Sequence, residues 1–158
     1  MRLTCFSDYS LRVLIYLGLR GDDLSTIRDI AAAYDISRNH LMKVVNFLTR
    51  AGYVQAVRGQ GGGIRLALAP SEIVLGKVVR ETEEGISLAE CFGSGNQCVI
   101  TPECQLRRVF GEALHAFFAV LDGYTLEDLI RDGARTAVLL GLPVGGDPGP
   151  PGPGSKKG

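Results

Sequence analysis

The sequence has neither an excess of charge of one sign nor an apolar run long enough to cross a membrane. Its 158 residues carry 17 basic and 17 acidic side chains, so the formal net charge is zero. No overall field therefore draws the chain to nucleic acid or lipid. A membrane span needs roughly 18 apolar residues in succession, and the N-terminus lacks the basic and apolar order of a secretion signal. We expect a cytoplasmic protein without a membrane partner.

Catalytic arrangements are also missing. The sequence shows no nucleophile paired with a base, no phosphate-binding loop carrying a Lys, and no carboxylate pair with a clear pocket. We therefore expect that the protein is not an enzyme. The hydrophobic fraction of 46% is sufficient for a core, and the length fits one domain, or one small domain with appendages.

Cysteine is scarce, but three of the four cysteines lie close together. Six residues separate Cys91 from Cys98, and five separate Cys98 from Cys104. Thiols stay reduced in the cytoplasm, so metal binding or redox chemistry is favoured over a disulfide, which would leave an odd thiol. The spacing lacks the C-x-x-C knuckles usual for zinc. It suits the looser spacing of iron–sulfur ligands, or three cysteines used as small apolar residues; the residues alone leave these two open.

The N-terminal part of the chain predicts a helix-turn-helix. A first helix covers residues 8–20, with Ser7 as its N-cap, Asp8 in its first turn, and Cys5 in an extended segment before it. A short helix follows from residue 26 and breaks at residues 34–36. Ser37 then caps a second helix that ends at Gly52. A short helix, a tight turn and a capped second helix are typical of DNA-binding proteins.

A β-hairpin is predicted directly after these helices. The segments VQAV (54–57) and IRLAL (64–68) have strand character, and RGQGGG (58–63) joins them with a glycine-rich turn. A helix-turn-helix followed by a hairpin is a winged helix. The predicted fold is therefore mainly α with a small β hairpin, and residues 1–80 form a winged helix-turn-helix DNA-binding domain.

Beyond this domain we expect a short helix over about 73–83, within which a cluster-binding loop region (81–100) begins. Thr101, as N-cap, and Pro102 then open a long helix. Its apolar residues extend beyond a single stripe, which indicates burial on more than one side, such as against a partner subunit. Thr125 and Asp128 begin a last helix over 126–140. Residues 101–142 are thus a dimerisation and C-terminal helical region, and 143–158 a disordered Gly/Pro-rich tail.

Charge segregates within the predicted DNA-binding domain. Residues 26–68 contain six basic and two acidic side chains, a balance of +4 in a chain whose total is zero. This local field is what phosphate binding requires. The second helix of the motif reads the major groove, and a basic wing suits the minor groove. The candidate DNA-binding residues are Arg28, Ser37, Arg38, Asn39, His40, Lys43, Arg58, Gly59, Gln60, Gly61, Gly62, Gly63 and Arg65.

Three blocks of this sequence together resemble the NsrR nitric-oxide-sensing repressors, members of the iron–sulfur winged-helix superfamily that includes IscR. The blocks are MRLTCFSDYSLRVLIYL, ISRNHLMKVVNFLTRAGYVQAVRGQGGGIRL, and the set of Cys91, Cys98 and Cys104. The resemblance covers about residues 1–135. It implies a homodimer crossed by the long helix, with one iron–sulfur cluster per subunit, 4Fe–4S in preference to 2Fe–2S.

The resemblance also implies the ligand set and the function. The metal ligands would be Cys91, Cys98 and Cys104, with Asp8 given by the other subunit. IscR-like members place a His three residues after the last cysteine, where this chain has Arg107. The expected function is repression at a near-palindromic double-stranded operator, released when nitric oxide nitrosylates the cluster. The alternatives are a regulator that senses iron or cluster status, a cluster-bearing redox or electron-transfer protein, and a zinc-stabilised winged-helix interaction module.

Overall fold

The structure, a computed structural model, describes residues 2–83, 85–86 and 88–144. Most of the predicted tail, residues 145–158, lies outside this part. Seven helices and one two-stranded antiparallel sheet are seen in it. In chain order they are α1 (Cys5–Arg20), α2 (Ile27–Tyr34), α3 (Arg38–Arg50), β1 (Val54–Val57), β2 (Gly63–Leu66), α4 (Leu75–Thr82), α5 (Gln105–Asp122), α6 (Leu126–Ile130) and α7 (Ala134–Leu139).

The core forms around α1, which packs against α3, α4 and α6. Val13, Leu14 and Leu17 of α1 are completely buried, as are Leu41 and Leu48 of α3. One side of the second helix of the motif is therefore buried in the core. The mainly α architecture with a small hairpin confirms the predicted fold class.

The first helix begins earlier than predicted. Thr4, not Ser7, is its N-cap, and the Thr4 hydroxyl accepts a hydrogen bond from the Ser7 backbone N–H at 3.2 Å. The extra turn brings Phe6 against Phe47 of α3, edge to face, with ring centroids 5.4 Å apart. Cys5 is therefore the first helical residue and not part of an extended segment. Asp8 remains in the first turn, as predicted.

The helix-turn-helix has the predicted order of elements, with different capping. Thr26 caps α2 through a reciprocal pair of hydrogen bonds with Asp29. Asp35 ends α2 in the left-handed conformation, at φ 52°, and makes the tight turn. Ser37 occupies the N-cap position of α3, but its side chain makes no capping hydrogen bond. The Ser37 hydroxyl is therefore exposed in the position expected of a phosphate-binding group.

The hairpin is anchored to the helical part by a backbone bridge. β1 pairs with β2 in a register that sets Val54 opposite Leu66 and Val57 opposite Gly63. Ser25, just before α2, exchanges two backbone hydrogen bonds with Ile64, at 3.0 and 2.8 Å. The wing is thus held to the loop that precedes the helix-turn-helix, so its position depends on that of the start of α2.

The long helix begins later than predicted. Thr101 and Pro102 open a separate 3₁₀ turn, Thr101–Glu103, and Cys104 then adopts an extended conformation and becomes the N-cap residue of α5. Cys104 therefore precedes the first turn of α5. α5 runs for 18 residues and has no buried residue. None of the helices in the described ranges is both long and apolar enough to cross a bilayer.

The predicted last helix is two short helices. The Thr125–Asp128 capping box is present at the start of α6, but the helix ends at Ile130 and α7 begins at Ala134. Gly133 lies between them, where α1 passes so close that a Cβ at this position would meet the Leu19 side chain and the Ile130 carbonyl. Packing against α1 therefore requires glycine at this position.

Candidate functional site

The predicted DNA-reading residues form one exposed surface on the N-terminal half of α3. Leu41, Val44 and Val45 turn towards the core, so the intervening polar positions face outwards. The exposed residues of this surface are Ser37, Arg38, Asn39, His40 and Lys43. Asn and Lys side chains can hydrogen-bond base edges, and a free Ser hydroxyl can bind a phosphate.

The wing presents a second part of the same candidate interface. Arg58, Gly59, Gln60 and Gly61 are exposed, and Gly62 and Gly63 are half-buried. Gly59 (φ 110°) and Gly61 (φ 76°) have conformations that L side chains rarely adopt. The turn therefore depends on glycine, and it leaves the backbone bare enough to approach a sugar–phosphate chain.

Arg65 differs from the other candidates because it is only half-exposed and its Nε is buried without a hydrogen-bond partner in the structure. A buried unsatisfied donor costs free energy, which a carbonyl or phosphate oxygen would recover. Arg28, in contrast, is exposed on α2.

The electrostatics of this surface favour an anionic partner. Within the described residues, ion pairs form on α1, α4, α5, α6 and the loop after α1, and none of them uses a basic side chain between residues 28 and 65. The six positive charges of this region are therefore available to displace counterions from a polyanion.

Two side chains of α1 that the sequence did not single out connect this helix to the helix-turn-helix. Tyr9 stacks on His40 of α3, with ring centroids 6.3 Å apart. Arg12 pairs with Asp8 at 2.9 Å, and its guanidinium lies 5.7 Å from the ring centre of Tyr34 in α2. Arg12 lies one helical turn after Asp8, a spacing that could have drawn attention to it, whereas only the packing shows that Tyr9 meets the reading helix.

The cysteine loop, which we define as residues 91–104, is closed by its own polar groups. The Asn96 amide donates to the Thr101 hydroxyl at 3.0 Å, the Thr101 hydroxyl donates to the Cys98 carbonyl at 2.7 Å, and the Cys98 N–H donates to the Asn96 side chain at 3.0 Å. Val99 and Ile100 at its tip are 91% and 62% exposed. The loop therefore places an apolar tip beside a thiol.

The cysteine thiols are all free, with Cys91 and Cys104 half-buried and Cys98 exposed. No three Cys, His, Asp or Glu side chains in the described part of the chain come close enough together to hold a metal ion. Asp8 lies on α1 and pairs with Arg12. Arg107, where IscR-like proteins would place a His, lies over the Phe92 ring at 5.8 Å. The single chain thus supplies candidate donors without an assembled site.

A comparison with known proteins decides the family. A model of the Rrf2 family, described as iron-dependent transcriptional regulators, matches residues 3–132. The chain belongs to the Rrf2 family. It is 54% identical over 142 residues to the HTH-type transcriptional regulator NsrR of Geobacillus kaustophilus (89% of this chain, 97% of the relative) and 53% identical to that of Bacillus subtilis, with the same coverage. The predicted resemblance is confirmed.

Solved structures agree on the fold of this Rrf2 protein. IscR of T. potens superposes with a TM-score of 0.68 at 23% identity, covering 86% of this chain and 90% of that one. CymR, the global cysteine regulator of B. subtilis, superposes with a TM-score of 0.65 at 27% identity, covering 84% of this chain and 98% of that one. The winged helix is therefore shown, and the protein is a DNA-binding transcriptional repressor of this family.

Proposed function

We propose that this protein is a homodimeric repressor that binds a near-palindromic operator and releases it when nitric oxide reaches an iron–sulfur cluster. The proposal rests mainly on the similarity to NsrR, which extends over 89% of the chain. The three free thiols on the cysteine loop also support it. The position of Arg107 supports the choice of signal, since the His expected of an IscR-like ligand set is missing.

Operator contact would use the exposed residues of α3 and the wing. The start of α3 reads base edges in such proteins, and Arg58 beside the glycine turn suits the narrow minor groove. Arg28, Arg65 and the wing glycines then approach the phosphate backbone. The unpaired positive charges of residues 28–65 support this assignment.

The dimer is proposed from α5. A helix of 18 residues without one buried side chain is unusual in a monomer when many of these residues are apolar. Leu106, Val109 and Val120 are 57%, 49% and 61% exposed in the single chain. A second copy of α5 would remove this surface from water.

The donor set of the chain fits an iron–sulfur cluster. Cys91, Cys98 and Cys104 would give three thiolates, the ligands that such clusters use, and Asp8 of the partner subunit the fourth donor. When a cluster is bound, its iron would be the group that reacts with nitric oxide. An Asp carboxylate is a harder, more exchangeable ligand than a thiolate. The iron held by Asp8 would therefore be the one most accessible to an incoming ligand.

The residues around Asp8 connect that position to DNA reading. Asp8 can pair with Arg12 on its own helix, as it does in the structure, so its carboxylate would have two possible partners, Arg12 and the cluster of the other subunit. Tyr9, the next residue, stacks on His40 of α3. A change in the ligation of Asp8 would therefore shift the N-terminal turn of α1, and the Tyr9–His40 contact would pass this shift to the reading helix.

Sensing of iron or cluster status is the second candidate. The family description, iron-dependent transcriptional regulator, favours it, and it would use the same thiols. The two functions differ in the signal. A sensor of iron or cluster status should bind its operator in proportion to the fraction of protein that carries a cluster. Its operator binding should not change when nitric oxide is added to holo-protein that keeps its cluster.

The cluster assignment is tested with a matched pair of cysteine variants. Cys98 and Cys5 are both exposed, but only Cys98 belongs to the proposed ligand set. After anaerobic purification we expect Cys98→Ser to lose iron, acid-labile sulfide and visible absorbance, and Cys5→Ser to retain all three. Equal iron and sulfide in both variants, or a colourless wild-type protein with stoichiometric zinc, would contradict the proposal.

A further inference from the structure

Near the C-terminal end of α5, backbone hydrogen bonds join the chain to the winged helix. Val74 and Thr125 form an isolated antiparallel bridge. The Leu75 N–H donates to the Tyr124 carbonyl at 3.0 Å, and the Leu126 N–H donates to the Ile73 carbonyl at 2.9 Å. These backbone bonds fix the chain just after α5, but they leave the direction of α5 itself to side chains.

One side-chain contact between α4 and α5 has a defined direction. Arg80 of α4 donates two hydrogen bonds to the carboxylate of Asp122, the last residue of α5, at 2.6 and 2.7 Å. The Arg80 guanidinium also lies 4.2 Å from the ring centre of Phe118, one turn earlier on α5. The bidentate pair and the ring contact hold two successive turns of α5 against the same guanidinium, which restricts how far α5 can tilt or rotate relative to α4.

The backbone of α4 is shaped to admit this contact. Gly76 lies one turn before Arg80, and a Cβ at this position would collide with the Asp122 carboxylate. The hydrogen bonds from Arg80 keep the pKa of Asp122 below its ordinary value, against the partial desolvation that would raise it. The carboxylate is therefore charged and held close to α4.

This contact contributes more to geometry than to stability. The Arg80 and Asp122 side chains are 45% and 43% exposed, and exposed ion pairs stabilise proteins little. A bidentate pair nevertheless fixes orientation. Because α5 has 18 residues, it is about 27 Å long. A tilt of about 5° at the Arg80 end would therefore move its other end, and the cysteine loop, by about 2.4 Å.

We propose that Arg80 is a positioning residue which, through Asp122 and Phe118, sets the angle between each winged helix and the dimerisation helix and so fixes the separation of the two DNA-reading helices. The inference rests on the proposed dimer. Half-sites lie about 34 Å apart, one turn of DNA. Each base pair inserted between them rotates one half-site by roughly 35°, so the α4–α5 angle decides which spacing is accepted.

The direct test measures operator affinity against half-site spacing for wild type and Arg80→Gln. We expect the wild type to lose about tenfold in affinity when one base pair is added or removed. The variant should lose affinity at the preferred spacing and keep a spacing preference of about threefold or less. The double variant Arg80→Asp/Asp122→Arg, which restores the opposite charges, should recover part of the preference.

Arg108→Gln is the matched control. Arg108 also pairs with a carboxylate on α5, Glu112, at 3.0 Å, but this pair lies within the helix and does not reach α4. We expect the control to retain the wild-type spacing preference. A preference in Arg80→Gln equal to that of the wild type would overturn the inference. So would an equal loss of affinity at every spacing together with a lowered thermal midpoint, since that is the result of a merely structural role.

A second measurement separates this inference from nitric oxide sensing. Spin labels carried by a genetically encoded amino acid at Gln60 of each wing report the distance between the two winged helices. We expect one narrow distance distribution in the wild type and Arg108→Gln, and a broad one in Arg80→Gln. A narrow distribution in all three contradicts the positioning role. Failure of nitric oxide to release DNA contradicts the proposed signal but leaves this result unchanged.

Discussion

Gly63→Ala should detach the wing from the helix-turn-helix. A Cβ at residue 63 would lie 2.7 Å from the Ser25 carbonyl oxygen and 3.2 Å from the Leu24 Cβ. The distance to the carbonyl oxygen is too short for a van der Waals contact. Because the obstacle is backbone, relief requires separating Ser25 from Ile64 and breaking their two hydrogen bonds. At about 1 kcal/mol for each net bond, unfolding should become easier by about 2 kcal/mol.

The assay for Gly63→Ala is denaturant unfolding of the apo-protein, followed by operator binding. The midpoint should fall at unchanged slope, and operator affinity should fall as the wing is displaced. Gly95→Ala is the control, because a Cβ at residue 95 meets nothing within 4 Å; it should change stability by less than about 0.5 kcal/mol. A Gly63→Ala protein as stable and as tightly bound to DNA as the wild type would refute the reasoning.

Three further predictions concern the DNA contact, the dimer and a helix cap. Arg58→Ala should reduce the slope of log affinity against log salt by about 1.8, which is about 0.9 for each wing of the dimer; an unchanged slope removes Arg58 from the interface. Leu106→Glu should give monomers in sedimentation analysis, since a charge replaces a side chain that the proposed dimer buries; persistence of the dimer contradicts this. Hydrogen bonds from Thr26 lower the pKa of Asp29, so the carboxylate stabilises the fold above its ordinary pKa. Asp29→Asn should therefore be less stable than wild type at pH 7, with the difference closing as the pH falls below 3.8 in thermal unfolding, and a gap independent of pH would contradict the cap.

The order of elements could be predicted because it depends on local signals. Ser25 to Gly52 carry helical periodicity, a tight turn and a glycine stop, and the glycine-rich turn between two short apolar runs identifies the hairpin. These signals act within one turn or one hairpin, so they can be recognised in the sequence without knowledge of the tertiary packing.

Helix boundaries depended on contacts that the sequence does not show. Thr4 begins α1 because the additional turn packs Phe6 on Phe47, which lies far along the chain. Glycine is required at residue 133, between the last two helices, because α1 passes close to it. In both cases the deciding contact comes from a distant segment, and a capping residue seen locally is only one candidate among several.

The exposure of the candidate residues could be predicted from the sequence, but the contacts that join them to the rest of the fold could not. The exposed residues of α3 and the wing are those expected from the motif, and the free thiols are those expected from the resemblance. The stacking of Tyr9 on His40 and the pairing of Arg80 with Asp122 were not predictable. These pairs are separated by tens of residues, and their side chains meet only because the helices that carry them pack together.

Nitric oxide sensing is tested most directly by measuring operator binding by the anaerobic holo-protein during titration with nitric oxide. We expect tight binding before the titration and loss of binding in step with loss of the cluster absorbance, while Cys98→Ser protein, which lacks the cluster, shows no response. Operator binding that remains unchanged after the cluster has reacted completely would rule out the proposed signal.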